Sequence, residues 1–180
     1  ADIIEIGGQD SKLVIKRNGA VADYQMNKAC AAGTGSFIDE LAEMLGVSVK
    51  NGDFANQAFE APCTIDLGTR CAAFMGQSVA SAQREGVSRE IINASLANSI
   101  AKNYLSKVVG SRKLGSKIIL TGAVFYNQAV VSAFNQQLED KTLTVAEHRE
   151  VSGAIGAALL AREQISGQQS GFRGFQIVID

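Results

Sequence analysis

Cysteine is the residue type here with the most chemistry to offer, and two of the three cysteines share a setting. Cys30 lies in the stretch K-A-C-A-A-G-T-G-S-F-I-D-E-L-A-E, residues 28–43, where a small turn of Gly33, Thr34 and Gly35 leads straight into a helical pattern. A helix N-terminus carries unpaired N–H groups and about half a positive charge. A thiol beside it is biased towards thiolate, the form that ligates metal. Cys71 repeats the arrangement: Gly68, Thr69 and Arg70 precede it, and Ala72, Ala73, Phe74, Met75 and Val79 supply an apolar helical set after it. One such cysteine is ordinarily a small buried core residue. Two at helix entrances, about forty residues apart, make a weak metal signal that lacks the C-x-x-C clustering of a zinc site. An iron–sulfur cluster would need four thiolates. Two identical chains, each giving Cys30 and Cys71, would supply them across a two-fold axis.

Phosphate chemistry has a candidate in Gly7-Gly8-Gln9-Asp10-Ser11-Lys12, between two strand-like runs. Such a turn brings backbone N–H groups to a phosphate and offers Asp10 to a hydrated Mg²⁺. The alternative is a plain hairpin turn that uses Gly-Gly for its backbone angles. Gly122-Ala123-Val124 follows the apolar run K-I-I-L-T, at the carboxyl end of a buried strand, where open α/β sheets collect ligands. Residues 151–162 form a helix rich in small side chains (Ser152, Gly153, Ala154, Gly156, Ala157, Ala158), expected to pack closely on the sheet. His148, the single histidine, stands among Glu147, Arg149 and Glu150 and reads as part of a solvated face.

The elements that position these residues follow from periodicity and turn signals. Strands at 2–6, 11–16 and 21–26, the last two joined by the hairpin signal Asn18-Gly19, predict an antiparallel meander. A helix over 35–45 stops at Gly46. Residues 47–56 read as a loop or short strand, and 61–64 as a strand edge. Then come a helix from 71, a long helix over 89–109 capped by Ser88, a strand at 117–121, a helix over 127–138, a strand at 143–145 and the small-residue helix. That order predicts an RNase H-like α/β domain, a mixed five-stranded sheet with flanking helices.

The composition agrees. A chain of 180 residues, 46% hydrophobic and 19% charged, suits one globular domain with a real core. A net charge of −1 removes any electrostatic case for nucleic acid or an anionic membrane. No apolar run reaches the roughly 18 residues needed to span a bilayer. An odd number of cysteines is no disulfide framework, so a reducing, cytoplasmic setting is expected. Residues 1–6 read at once as a strand, and a polar Gly/Gln/Ser stretch at 166–171 leads to a strand-like end. The expectation is a piece of a longer protein, with residues 1–164 a lobe and 165–180 a linker and the start of a further segment.

Taken together and in order, Ile6-Gly7-Gly8-Gln9-Asp10-Ser11-Lys12, Cys30-Ala31-Ala32-Gly33-Thr34-Gly35-Ser36-Phe37, Cys71, Thr121-Gly122-Ala123-Val124 with Asn127, and Ser152-Gly153-Ala154-Ile155-Gly156-Ala157-Ala158 resemble the BadF/BadG/BcrA/BcrD family of ATPases. The family includes activators of 2-hydroxyacyl-CoA dehydratases, such as the 2-hydroxyglutaryl-CoA dehydratase activator, and ATPase subunits of benzoyl-CoA reductases. The resemblance covers residues 1–164, and its two N-terminal motifs are the specific ones. It implies the fold of actin, sugar kinases and the Hsp70 ATPase domain, in which two RNase H-like lobes close on ATP; this chain matches the second lobe. It also implies a homodimer sharing one [4Fe-4S] cluster, with Cys30 and Cys71 as the ligands from each subunit and Cys63 structural. ATP hydrolysis to ADP then drives a low-potential electron, received from a donor such as ferredoxin or flavodoxin, to the partner dehydratase or reductase. By match to the motifs, Gly7, Gly8 and Gln9 are phosphate contacts, and Asp10 and Glu5 are catalytic through Mg²⁺ and its water. Gly122 and Ala123 belong to the adenosine motif, and Gly153 to a close-packed helix near the nucleotide.

Three departures accompany the resemblance. The first lobe with its own phosphate loop has no counterpart here, so the chain alone is expected to bind and hydrolyse ATP poorly. Glu5 stands where the family usually has Asp. The usual Gly-Gly of the adenosine motif is Gly122-Ala123, followed by Phe125-Tyr126, whose rings are expected to narrow the adenine site. Two alternatives stay open: an actin-like ATPase or kinase lobe without a cluster, and a degenerate lobe serving dimerisation or scaffolding. Reconstitution with iron separates the cluster reading from both, and nucleotide binding by the protein with its first lobe separates the two alternatives from each other.

Overall fold

Alternation along the first strands decides which side of the sheet faces the core. The computed structural model describes residues 1–27, 34–69 and 72–164. β1 (Asp2–Ile6) buries Asp2, Ile4 and Ile6, and β2 (Ser11–Arg17) buries Ser11, Leu13 and Ile15. Asn18 (φ 53°) and Gly19 (φ 83°) make the tight turn into β3 (Ala20–Met26), as the Asn-Gly signal predicts. β4 (Lys117–Thr121) and β5 (Thr142–Val145) complete a sheet of order β3-β2-β1-β4-β5. β1 pairs antiparallel with β2 and parallel with β4, so the expected mixed five-stranded sheet is present. Register places Ile4 opposite both Leu13 and Leu120, an apolar row across the middle of the core face.

Among the described residues six α-helices accompany the sheet: α1 (Gly35–Met44), α2 (Asp53–Glu60), α3 (Ala72–Arg84), α4 (Arg89–Tyr104), α5 (Gln128–Gln137) and α6 (Ser152–Gln164). Ser88 caps α4 as expected, accepting from the Ile91 N–H. α4 does not run on unchanged to Val109; its last turn, Leu105–Val109, widens to π geometry and closes at Gly110 with φ 60°. At that junction the buried Tyr104 donates its hydroxyl to the Lys12 carbonyl at 2.7 Å and meets Phe134 edge-on. The sheet is thereby tied to α4 and α5.

Two expectations fail here. Residues 53–56, expected as loop or short strand, begin the helix α2, and 61–64 form no strand. α2 is short and polar, and only Phe54 and Ala58, four residues apart, mark its buried side. Its docking on α4 and α5 supplies what its own sequence lacks. α6 buries no residue, and the space beside Gly153 and Gly156 is open, so the described residues do not exploit its small side chains for close packing.

The end of the sheet away from the glycine turns is pinned by Asp2, which is 1% exposed. Its carboxylate accepts from the Arg17 guanidinium (2.7 Å), the Gly115 N–H (2.6 Å) and the Lys16 N–H (3.0 Å). Burial works to raise its pKa, but these donors together hold it below the ordinary carboxylate value.

Candidate functional site

The chain leaves β1 through Gly7-Gly8 and returns to the same place at the start of α1. Gly7 N–H closes the turn on the Asp10 carbonyl at 2.8 Å. The Gly7 and Gly8 carbonyls then accept from the N–H groups of Gly35 (2.9 Å) and Ser36 (2.7 Å). Thr34, the N-cap residue, makes no side-chain cap bond, so the turn does the capping. Two donors of the first helical turn, which an isolated helix would leave unpaired, are satisfied by the glycine turn. Position 35 is tight for any side chain: a Cβ there would lie 3.1 Å from Val124 Cγ2 and 3.2 Å from both the Gly7 carbonyl oxygen and the Gly8 Cα, so these neighbours would have to give way slightly.

The second glycine turn meets this junction from β4. Gly122 has φ 97° and ψ 153°, and a Cβ on it would overlap the Ile6 carbonyl. Its N–H donates to the Arg149 carbonyl at 2.8 Å. The Thr121 hydroxyl lies 3.0 Å from that same carbonyl and 2.6 Å from the Ser152 hydroxyl, which ties the start of α6 to the end of β4. The chain continues through a 3₁₀ turn, Ala123–Tyr126, to Asn127, whose Oδ1 caps α5.

Between these elements lies a cavity of about 680 Å³. Gly8, Gly35, Ala123, Val124, Tyr126 and Asn127 line one side, and Val49, Lys50, Gly52, Ala55 and Phe59, from α2 and the loop before it, line the other. The Tyr126 ring is held firmly: its hydroxyl donates to Glu150 Oε2 at 2.6 Å, and the Arg149 guanidinium lies 4.4 Å from the ring centroid, a cation–π arrangement. That hydrogen bond lowers the pKa of the Glu150 carboxyl and raises that of the Tyr126 phenol. Phe125 points the other way, fully buried and edge-on to Phe134. Of the two rings expected to narrow the site, only Tyr126 reaches it.

The residues singled out from sequence are thus only partly gathered. Gly8 and Ala123 line the cavity, while Gly7 and Gly122 shape the two turns behind it. Gln9 and Asp10 are exposed on the turn and do not line the cavity. Glu5 alternates with the core-facing Ile4 and Ile6, so it lies on the opposite face of the sheet, paired with Lys12 at 2.8 Å. Its hydrogen bond raises the Lys12 pKa. Gly153 does not line the cavity. Cys30 and Cys71 lie outside the described residues; Cys63 is exposed and free. Among the described residues no group of three His, Cys, Asp or Glu side chains is placed to hold a metal ion. Sequence reading missed the α2 wall with Lys50 and Phe59. Its available signals were the Phe54/Ala58 spacing and Asn51, whose Oδ1 accepts from the Asp53 N–H.

Residues 1–161 match the BadF/BadG/BcrA/BcrD ATPase family along almost the whole of the described chain. The chain belongs to that family. A family member, the (R)-2-hydroxyglutaryl-CoA dehydratase activating ATPase of Acidaminococcus fermentans, is 35% identical over 164 residues, covering 88% of this chain and 60% of the relative. The crystal structure of component A of the Acidaminococcus fermentans (R)-2-hydroxyglutaryl-CoA dehydratase superposes with a TM-score of 0.83 at 30% identity, over 91% of this chain and 61% of the other. The activator of the 2-hydroxyisocaproyl-CoA dehydratase from Clostridium difficile, solved with bound ADPNP, gives 0.81 at 28% identity, over 94% and 63%. The chain therefore has the actin-like family fold and spans about 60% of the length of these relatives.

Proposed function

We propose that this chain is the second lobe of an ATP-dependent activator that passes a low-potential electron to a 2-hydroxyacyl-CoA dehydratase or a benzoyl-CoA reductase-type enzyme. One observation carries the reading: the phosphate-type turn at Gly8, the start of α1 at Gly35 and the adenosine-type turn at Ala123 close on one cavity. In this reading the Gly7-Gly8-Gln9 turn contacts ATP phosphates, Asp10 on the same turn acts through Mg²⁺ and its water, Glu5 stays with Lys12 on the other face of the sheet, and Gly122 and Ala123 accommodate the adenosine. The first lobe completes the cleft, and the protein works in the cytoplasm with a ferredoxin or flavodoxin as donor. Among the described residues no helix is long and apolar enough to cross a membrane.

A [4Fe-4S] cluster fits the donor chemistry. In sequence Cys71 directly precedes α3, which begins at Ala72, and Cys30 stands five residues before α1, which begins at Gly35; a thiol held beside a helix start is biased towards thiolate. Cys30 and Cys71 from each of two subunits would hold it. When bound, it supplies a one-electron carrier of low potential. The chain's own contribution is mechanical. The Gly35 and Ser36 N–H groups bond the glycine-turn carbonyls, so a displacement of that turn carries the start of α1 with it.

Anaerobic reconstitution of the full-length protein tests the reading. The expected result is about four irons per dimer, lost in Cys30→Ser and in Cys71→Ser and kept in Cys63→Ser. A monomer that takes up no iron would overturn it.

A further inference from the structure

The glycine turn keeps its backbone acceptors occupied and leaves donors free. All five carbonyls from Gly7 to Ser11 accept a hydrogen bond: Gly7 from the Gly35 N–H, Gly8 from the Ser36 N–H, Asp10 from the Gly7 N–H, and Gln9 and Ser11 from Asn27. The N–H groups of Gly8, Gln9 and Asp10 donate to no group among the described residues, and all three residues are exposed. Successive free amides in a turn suit an anion.

α1 holds the first half of this turn, and Asn27 holds the second. Asn27 follows Met26, the last residue of β3, which pairs with Lys12. Its N–H donates to the Ser11 carbonyl at 2.9 Å and so extends the ladder by one bond. Its side chain then takes over from the backbone. Oδ1 accepts from the Ser11 N–H at 2.9 Å, and Nδ2 donates to the Gln9 carbonyl at 3.4 Å. A carboxamide carries the acceptor and donor of a peptide group, and these two partners settle which way round it lies. Asn27 thus grips the chain on both sides of Asp10 without lining the cavity itself.

We propose that Asn27 is a positioning residue for nucleotide phosphate: its side chain holds the Gln9–Ser11 half of the turn in the shape that presents amides and withholds carbonyls. This rests on the phosphate reading of the turn given above. Without that side chain the Gln9 carbonyl and the Ser11 amide lose their partners, and an uncommitted carbonyl lies beside the free amides. ATP then has to order the turn as it binds, against a competing acceptor. Two hydrogen bonds are at stake, so ATP binding weakens about tenfold. Adenosine, which has no phosphate, binds as before.

The test is equilibrium binding of ATP and of adenosine to the full-length protein and to its Asn27→Ala variant, with thermal denaturation to check that the variant folds. The expected result is about tenfold weaker binding of ATP with adenosine unchanged, a split that a general loosening of the fold does not produce. Equal losses for both ligands give Asn27 a purely structural part and overturn the inference, as does a variant that binds ATP like the parent. Amide hydrogen exchange on the unaltered protein tests the clamp without any substitution. The Ser11 N–H is expected to exchange slowly before ATP is added, and those of Gly8, Gln9 and Asp10 to exchange fast and to slow when ATP binds. A Ser11 N–H that exchanges as fast as these neighbours overturns the inference. ATP that binds the unaltered protein no more tightly than adenosine, or not at all, overturns the phosphate reading of the turn and this inference with it.

Discussion

Replacing Gly122 by alanine isolates the contact on which the cavity is built. Two costs add. The backbone at φ 97°, ψ 153° lies in a region open essentially only to glycine, and holding alanine there costs about 1–3 kcal/mol. The new methyl would also overlap the Ile6 carbonyl, a backbone group in the central strand of the sheet. Since β1 is bonded on both sides, relief must come from moving the turn, which breaks the Gly122 N–H bond to the Arg149 carbonyl, worth about 1 kcal/mol. Together these predict a loss of about 2–4 kcal/mol, a large share of the roughly 5–15 kcal/mol available to a domain. For this size of chain that lowers Tm by about 10 °C. The assay is denaturant and thermal unfolding of Gly122→Ala beside Gly156→Ala. The second glycine lies inside α6 with open space where a Cβ would go, so alanine there stabilises by about 0.5–1 kcal/mol through helix propensity. A Gly122→Ala protein within about 1 kcal/mol of the parent, or two variants that behave alike, would refute this account of the junction.

Two further perturbations probe the frame around the site. Asp2 is a carboxylate held below its ordinary pKa, so its contribution is present at neutral pH and disappears as pH falls below about 4, through its folded-state value. Asp2→Asn should cost about 2 kcal/mol near neutrality and flatten the acid limb of the stability profile, measured by urea unfolding from pH 7 to pH 3; an unchanged acid limb would mean that other carboxylates carry it. Tyr104→Phe removes the buried hydroxyl bonded to the Lys12 carbonyl and should cost about 1–2 kcal/mol, with faster hydrogen exchange along β2; unaltered exchange there would count against the link between α4 and the sheet.

Much of this protein is legible along the chain because local rules decide it. Asn18-Gly19 demands a tight turn, alternation in residues 2–6 and 11–15 names the core face, and the spacing of Ile92, Leu96 and Ile100 makes a buried helix wherever it lies. The glycines at 7, 8 and 122 announce backbone freedom, and their order with the two cysteines points to the family. The remainder depends on neighbours that no local pattern specifies. Residues 53–60 become helical because Phe54 and Ala58 dock on helices distant in sequence, which hid the second wall of the cavity. Phe125 and Tyr126 are adjacent aromatics, yet one enters the core and the other faces the cavity, since a 3₁₀ turn sends consecutive side chains in different directions. Glu5 sits two residues before a cavity-shaping glycine but on the opposite face of the sheet, paired with Lys12. Residue types and spacing therefore determined the sheet, most of the helices and the kind of turn. Tertiary packing alone decided which of those side chains share a cavity, because that depends on long-range burial and strand register rather than on any neighbour in sequence.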